Sequence, residues 1–311
     1  METYTTKVDQ NIFDVAIQLY GSIEGVFDLL ISNPKLSIND ELATGTVLNY
    51  HDYFTINKEI SDALMRNPPA SVPHSVYYKT SPTPCVMMMT IPSFWDSGSF
   101  QVSGNGEMVI DWGDNSTLQT VSLNSTPQTI MHYYNNKIHD PERVVYFYGK
   151  FDIQRINLSE LAGEFYPIQS MTVDELAYDK YAGDISGVML CNGLNVLELT
   201  HGNIITLRPI YDLSLQILNL SQSIVSPEEF EAYLQYITTN YGKRRDCIVT
   251  ADVELTDQAL EYIRIIVNNP DWNINGQWTF NINGVTYDNN YQWASSYLML
   301  DTGKLDTCKL M

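Results

Sequence analysis

Apolar and polar positions along this chain follow three rhythms, each predicting a different kind of structure. Over the first 50 residues the period is helical. Ile12, Phe13, Ala16, Ile17 and Tyr20 share one face behind Asp9, a cap candidate, and Gly21 supplies the left-handed stop. Ser22 stands as the cap of a second helix striped by Ile23, Val26, Phe27 and Leu30. Asn33-Pro34 closes it, because proline disfavours helix at the residue before it. Residues 3–8 and 46–50 read as two strands packed antiparallel beneath the helices, in the order β-α-α-β.

From Cys85 to Gly149 the rhythm is that of strands: Val86–Ile91, Phe100–Val102, Met108–Ile110, Ile130–Tyr134 and Val144–Tyr148, with a tight turn predicted at Asp111–Asn115. The third rhythm occupies residues 150–225. There Leu194-x-x-Leu197-x-Leu199 recurs 21 residues later as Leu215-x-x-Leu218-x-Leu220. Ile153-x-x-Ile156-x-Leu158 and Ile168-x-x-Met171-x-Val173 are weaker copies. Such spacing turns alternate side chains of a short strand inward, and copies that cannot bury a face alone stack on one another.

Two further helices are predicted. Ser226-Pro227-Glu228-Glu229 is a helix start whose acids suit the positive first turn, and Phe230, Tyr233, Leu234 and Ile237 form its stripe until Gly242. Thr256–Gln258 opens the other, with Leu260, Ile263, Ile266 and Val267 inward. Asn283-Gly284 is a hairpin signal. The Pro- and Ser-rich stretch 66–84 reads as an extended linker. The predicted organisation is a multidomain α+β chain: a unit at 1–65, the linker at 66–84, a β domain at 85–149, an α/β domain at 150–285 and a polar C-terminal arm at 286–311.

Composition narrows the partners. With 37 acidic against 17 basic residues the formal charge is −20, a field that repels phosphate backbones and excludes nucleic acid as an expected partner. The 21 Tyr and 10 Phe argue for a folded chain and suit wet interfaces. Cys85, Cys191, Cys247 and Cys308 lie far apart with no C-x-x-C pair, which suggests isolated buried thiols. No signal peptide and no membrane span is expected.

Candidate chemistry is sparse. His51, His74, His132, His139 and His201 have no metal-site spacing, and the chain carries no nucleophile elbow or phosphate-binding glycine loop. Asp111, Asp114 and Asn115 offer oxygens to a Ca²⁺ ion, although the same side chains commonly cap their own turn, which is the preferred reading. Lys243-Arg244-Arg245 complements a helix C-terminus. No catalytic residue, resident metal or cofactor is expected.

The Tyr20-Gly21, Asn33-Pro34 and Gly45-Thr46 punctuation of the first 50 residues resembles the LysM domain, and more closely its relative, the tail protein X of bacteriophages. The resemblance implies a βααβ unit working by attachment. It also implies a shallow groove between Asp9, Gln10 and Asn11 on one side and Asn33, Lys35 and Leu36 on the other, where LysM domains hold glycan. The usual G-D-T-L of that family is replaced by Asp9–Ile12, which favours the protein–protein adaptor. The stretch from Ile110-Asp111-Trp112-Gly113-Asp114 through His132 to Gly149 resembles PKD-type immunoglobulin-like sandwiches, implying a β-sandwich-like middle. The L-x-x-L-x-L segment resembles leucine-rich repeats, with Gly202 in the place of the repeat's asparagine and Asn203 after it. Together these segments resemble structural proteins of Bacteroidetes phages.

The implied function is that of a non-enzymatic virion protein, a tail or baseplate component assembled in the host cytoplasm. Its partners would be other virion subunits and further copies of itself in a symmetric assembly, with peptidoglycan a possible ligand. The alternatives are a cell-surface adhesin recognising peptidoglycan or other glycan through residues 1–65, and a cell-wall hydrolase with a LysM-like targeting module.

Overall fold

A computed structural model describes residues 1–7, 10–40, 42–66, 69, 84–135, 142–161, 163–183, 185–240, 247–273 and 277–293. The N-terminal unit has the β-α-α-β order: β1 (Glu2–Thr5), α1 (Ile12–Tyr20), α2 (Val26–Ser32) and β2 (Val47–Tyr50). The strands pair antiparallel, Glu2 opposite Tyr50 and Thr5 opposite Val47. Asn11, not Asp9, caps α1. Its side chain accepts the Phe13 and Asp14 amides, both at 2.9 Å, and the Asp14 carboxylate accepts the Asn11 amide at 3.0 Å. That reciprocal box satisfies donors that would otherwise be orphaned at the helix start; Asp9 lies outside the described residues. Gly21 closes α1 at φ 73° and packs so tightly that a Cβ would lie 1.9 Å from the Asn57 carbonyl oxygen. Ser22 makes no side-chain cap bond. A 3₁₀ turn, Ile23–Gly25, precedes α2, which leaves Ile23 half exposed instead of on the buried stripe.

Helix α3 (Lys58–Arg66) was not expected. Its sequence is polar, and it is held to α1 through the Ser61 hydroxyl, which donates to the Gln18 and Leu19 carbonyls at 3.0 and 2.9 Å. The expected linker begins where this helix ends and lies almost wholly outside the described residues.

Five strands follow: β3 (Cys85–Pro92), β4 (Ser97–Asp111), β5 (Gln119–Leu123), β6 (Gln128–Tyr133) and β7 (Glu142–Asn157). β4 carries β7 along one edge and, along the other, β6 then β5. Phe100, Met108, Ile110, Trp112, Ile130, Val145 and Phe147 are buried between them. On its other edge β7 pairs with β3 along its first half and with a parallel strand along its second. It therefore runs unbroken across the position where 85–149 was expected to meet 150–285.

The remaining elements are β8 (Glu164–Pro167), β9 (Met171–Asp179), β10 (Ala182–Gly183), β11 (Cys191–Asn192), β12 (Val196–Thr200), β13 (Asn203–Ile204), β14 (Ile217–Leu220), α4 (Pro227–Asn240), β15 (Ile248–Ala251), α5 (Asp257–Asn268), β16 (Thr279–Ile282) and β17 (Val285–Tyr287). From β7 through β9, β12, β14 and β15 to β16 the pairing is parallel. Ile156, Leu176, Leu197, Leu218, Val249 and Phe280 stand side by side, so successive coils advance by 20, 21, 21, 31 and 31 residues. The three shorter returns contain the 3₁₀ turns Ser159–Leu161, Ser186–Leu190 and Arg208–Ile210, and the longer ones accommodate α4 and α5.

The two strong L-x-x-L-x-L copies fall in register, and all six leucines are buried. Ile153-x-x-Ile156-x-Leu158 is also in register. The copy beside it, however, is Val173-x-x-Leu176-x-Tyr178, not Ile168-x-x-Met171-x-Val173. A second, short parallel column joins β10 to β13 and Asn203 to Ile224, and the Gly202 amide donates there to Ser223 Oγ at 2.9 Å. Asn283 and Gly284, both at positive φ, turn β16 back into antiparallel β17. The chain is thus a mixed α/β protein with one 13-stranded mixed sheet and, among the described residues, five α-helices. No single described helix is long and apolar enough to cross a membrane.

Candidate functional site

The residues implied by the LysM resemblance are positioned largely by internal bonds. The two loops are zipped together: Thr6 donates its amide to the Thr46 carbonyl at 2.9 Å and its hydroxyl to the Ala43 carbonyl at 2.8 Å. Gln10 is buried, its carboxamide accepting from Tyr4 Oη and the Lys7 amide and donating to Gln18 Oε1, each at 2.8 Å. Asn11 is the cap of α1. Asn33 clasps α2 to β2, donating to the Leu29 and Asn49 carbonyls at 2.8 and 2.9 Å and accepting the Asn49 amide at 2.9 Å. Leu36 packs against the unit's core, and Lys35 is exposed. Sugar recognition needs amide groups with donors and acceptors to spare; Gln10 and Asn33 commit both ends of theirs to the fold, and Asn11 commits its side-chain oxygen.

In the Asp111–Asn115 turn, Asp111 accepts the Gly113 amide and Asp114 accepts the Ser116 amide, both at 3.0 Å. These are the self-capping bonds such residues favour. The second Asp114 oxygen accepts from His132 Nε2 and the Asn135 amide at 2.8 Å each. Burial alone would raise the Asp114 carboxyl, but hydrogen bonds from Ser116, His132 and Asn135 outweigh it and hold the group well below the usual carboxylate range. Asn115 takes φ 61° and Gly113 φ 70°. His132 lies flat on the buried Trp112, 4.9 Å away at 6°. Among the described residues no group of three His, Cys, Asp or Glu stands where it would hold a metal.

A second knot, not foreseen from the sequence, ties the N-terminal unit together. Buried Asp28 accepts from Tyr20 Oη at 2.5 Å, the His51 amide at 2.9 Å and His51 Nδ1 at 2.7 Å. Ser32 Oγ also lies 3.3 Å from His51 Nδ1. A Ser-His-Asp relay needs the hydroxyl and the carboxylate on opposite ring nitrogens; here both meet the same one, so this is a structural clasp. Its polar residues are separated by 8 and 23 positions, with no motif to announce them.

The unit is fixed to the parallel coils. In the Ser186–Leu190 turn, Val188 enters the large core while Leu190, fully buried, enters the core of the N-terminal unit beside Met189 and Tyr166. Arg208 Nη1 donates to the Thr55 carbonyl at 2.5 Å, Tyr53 Oη donates to Asp212, and Tyr236 Oη donates to the same carboxylate at 2.5 Å. A cavity of about 290 Å³ lies along this seam, lined by Glu24, Ile56, Ile205, Arg208 and Glu229 among others.

The outer face of the parallel sheet carries two columns. One runs Arg155, Glu175, Val196, Ile217, Ile248, Thr279 and the other Asn157, Ala177, Glu198, Asn219, Thr250, Asn281. Arg155 and Glu175 pair at 3.6 Å, and beyond them Ile217 and Ile248 are 36% and 43% exposed. Comparison with family models, curated proteins and solved structures finds no match for this chain.

Proposed function

We propose that this chain is a non-enzymatic structural subunit of a tailed-phage tail or baseplate, acting by attachment to neighbouring subunits. The observation that carries the reading is the way the N-terminal βααβ unit is mounted. Leu190 is shared into its core, and Tyr53, Thr55, Arg208 and Asp212 bridge the seam. A module mounted this way presents its surface at a fixed angle to the parallel coils, as an adaptor in a repeating assembly requires. An unpaired apolar strip at Ile217 and Ile248, bordered by polar side chains, suits the buried centre and polar rim of a protein interface. The internal use of Gln10, Asn11 and Asn33 favours the adaptor over glycan capture at that groove. Cross-linking mass spectrometry on particles from the producing culture tests this. Links from Lys7, Lys35 or Lys58 to another virion protein are expected; links confined to this chain would overturn the adaptor role.

A further inference from the structure

We propose that the cleft where β3, the β3–β4 turn and the ends of β7 and β9 converge is a saccharide-binding site, distinct from the LysM-like groove. Its volume is about 570 Å³, within the range of pockets that enclose small ligands. Ile91 and Tyr178, both buried, lie beneath it, and Trp95 forms a wall that is 44% exposed. An indole held half in water at the mouth of a cleft is an unusual use of so large an apolar surface. Phe94 stacks on it at 5.7 Å and 23°, which steadies the ring.

The polar lining mixes both hydrogen-bonding senses. Glu142, Glu160, Glu164 and Asp179 present acceptors, Lys180 presents donors, and Thr90 and Ser159 present hydroxyls that do either. Several are fixed in place. Asp179 accepts from Thr200 Oγ1 at 2.8 Å and His201 Nδ1 at 2.5 Å, Ser159 Oγ accepts the Asp179 amide at 2.9 Å, and Glu164 accepts from Tyr166 Oη. Each carboxylate has about four lone-pair sites, and these supporting bonds occupy only some of them.

A pyranose ring matches this arrangement. Its apolar C–H face fits the Trp95 plane, and its edge of hydroxyls both donates and accepts. The carboxylates repel phosphates and nucleotides, and because they outnumber Lys180 a cation is the competing ligand that the test must separate from a saccharide.

The test uses the full chain on an array of neutral and N-acetylated oligosaccharides. Titration calorimetry of the strongest binder follows, with spermidine as a cationic probe. At least one oligosaccharide is expected to bind. Trp95→Ala is expected to weaken it tenfold or more and Glu160→Gln severalfold, while Val285→Ala leaves it unchanged. Trp95 and Glu160 are exposed, so all three variants should keep the parent's melting temperature. No oligosaccharide binding at millimolar concentration, binding that survives Trp95→Ala, or Trp95-dependent binding of spermidine alone would each overturn the assignment. The assay requires no particle, so its failure is distinguishable from failure of the assembly reading.

Discussion

Replacing Leu190 with alanine should loosen the N-terminal unit from the rest of the molecule. Leu190 belongs by sequence to a return turn of the parallel coils, yet its side chain is fully buried in the core of the N-terminal unit. Truncating a buried leucine costs about 2–5 kcal/mol, the loss of transfer free energy plus the cavity left behind. Every 1.4 kcal/mol is about tenfold in an equilibrium constant, so the open population of the unit should rise by roughly 30-fold to several thousand-fold. Native-state hydrogen exchange reads this directly. In Leu190→Ala, amides of α1 and α2 should exchange faster than in the parent while those of β12 and β14 change little. Leu197→Ala, an equally buried leucine within the coils, should show the reverse. If Leu190→Ala leaves α1 and α2 exchange unchanged, the two cores are not coupled through this turn and the rigid mounting fails.

Other outcomes follow from the same geometry. Asp114 is depressed in the folded state, so its contribution is present above the unfolded value of about 3.9 and is lost as pH falls through the lower folded value. Urea unfolding at pH 7 and pH 3 should therefore show a smaller acid loss for Asp114→Asn than for the parent, and an equal loss would contradict the hydrogen-bond account. Gly113→Ala places a Cβ 2.2 Å from the Val144 carbonyl oxygen at φ 70°, which should cost at least about 1 kcal/mol; an unchanged melting temperature refutes it. Burial pushes the Cys85 and Cys191 thiols up to about 12, so in a Cys308→Ser background neither should react with Ellman's reagent at pH 8 until the chain is unfolded. Rapid labelling of either in the native protein would show that the site opens.

Periodicity made the coils legible where leucines mark them, and failed where other residues do the same work. Tyr178 fills a leucine position with an aromatic ring. Val173, which opens that copy, also fits the end of Ile168-x-x-Met171-x-Val173, a frame displaced by five residues. β15 and β16 bury Val249, Ala251, Phe280 and Ile282, a set too mixed to announce a repeat. α3 was invisible because its hold on α1 is a serine hydroxyl bonded to backbone carbonyls, not an apolar stripe. The β1-α1-α2-β2 order was legible from its glycine and proline punctuation, but its cap moved from Asp9 to Asn11 because the capping box needs Asp14 three positions on. The clasp at Asp28 and the cleft at Trp95 were not legible. Each gathers side chains from distant segments, the cleft from residues 90–92, 95, 142, 159, 160, 163, 164 and 178–180. The one local hint was Phe94-Trp95, two large aromatics in a turn otherwise polar.

Quantitative mass spectrometry across a density gradient of lysate from the producing culture tests the central claim most directly. The account predicts that this chain co-sediments with the particle band at a constant ratio to a capsid or tail protein in every fraction of the peak. Recovery only in soluble or envelope fractions, with no fixed ratio to any particle protein, would contradict it.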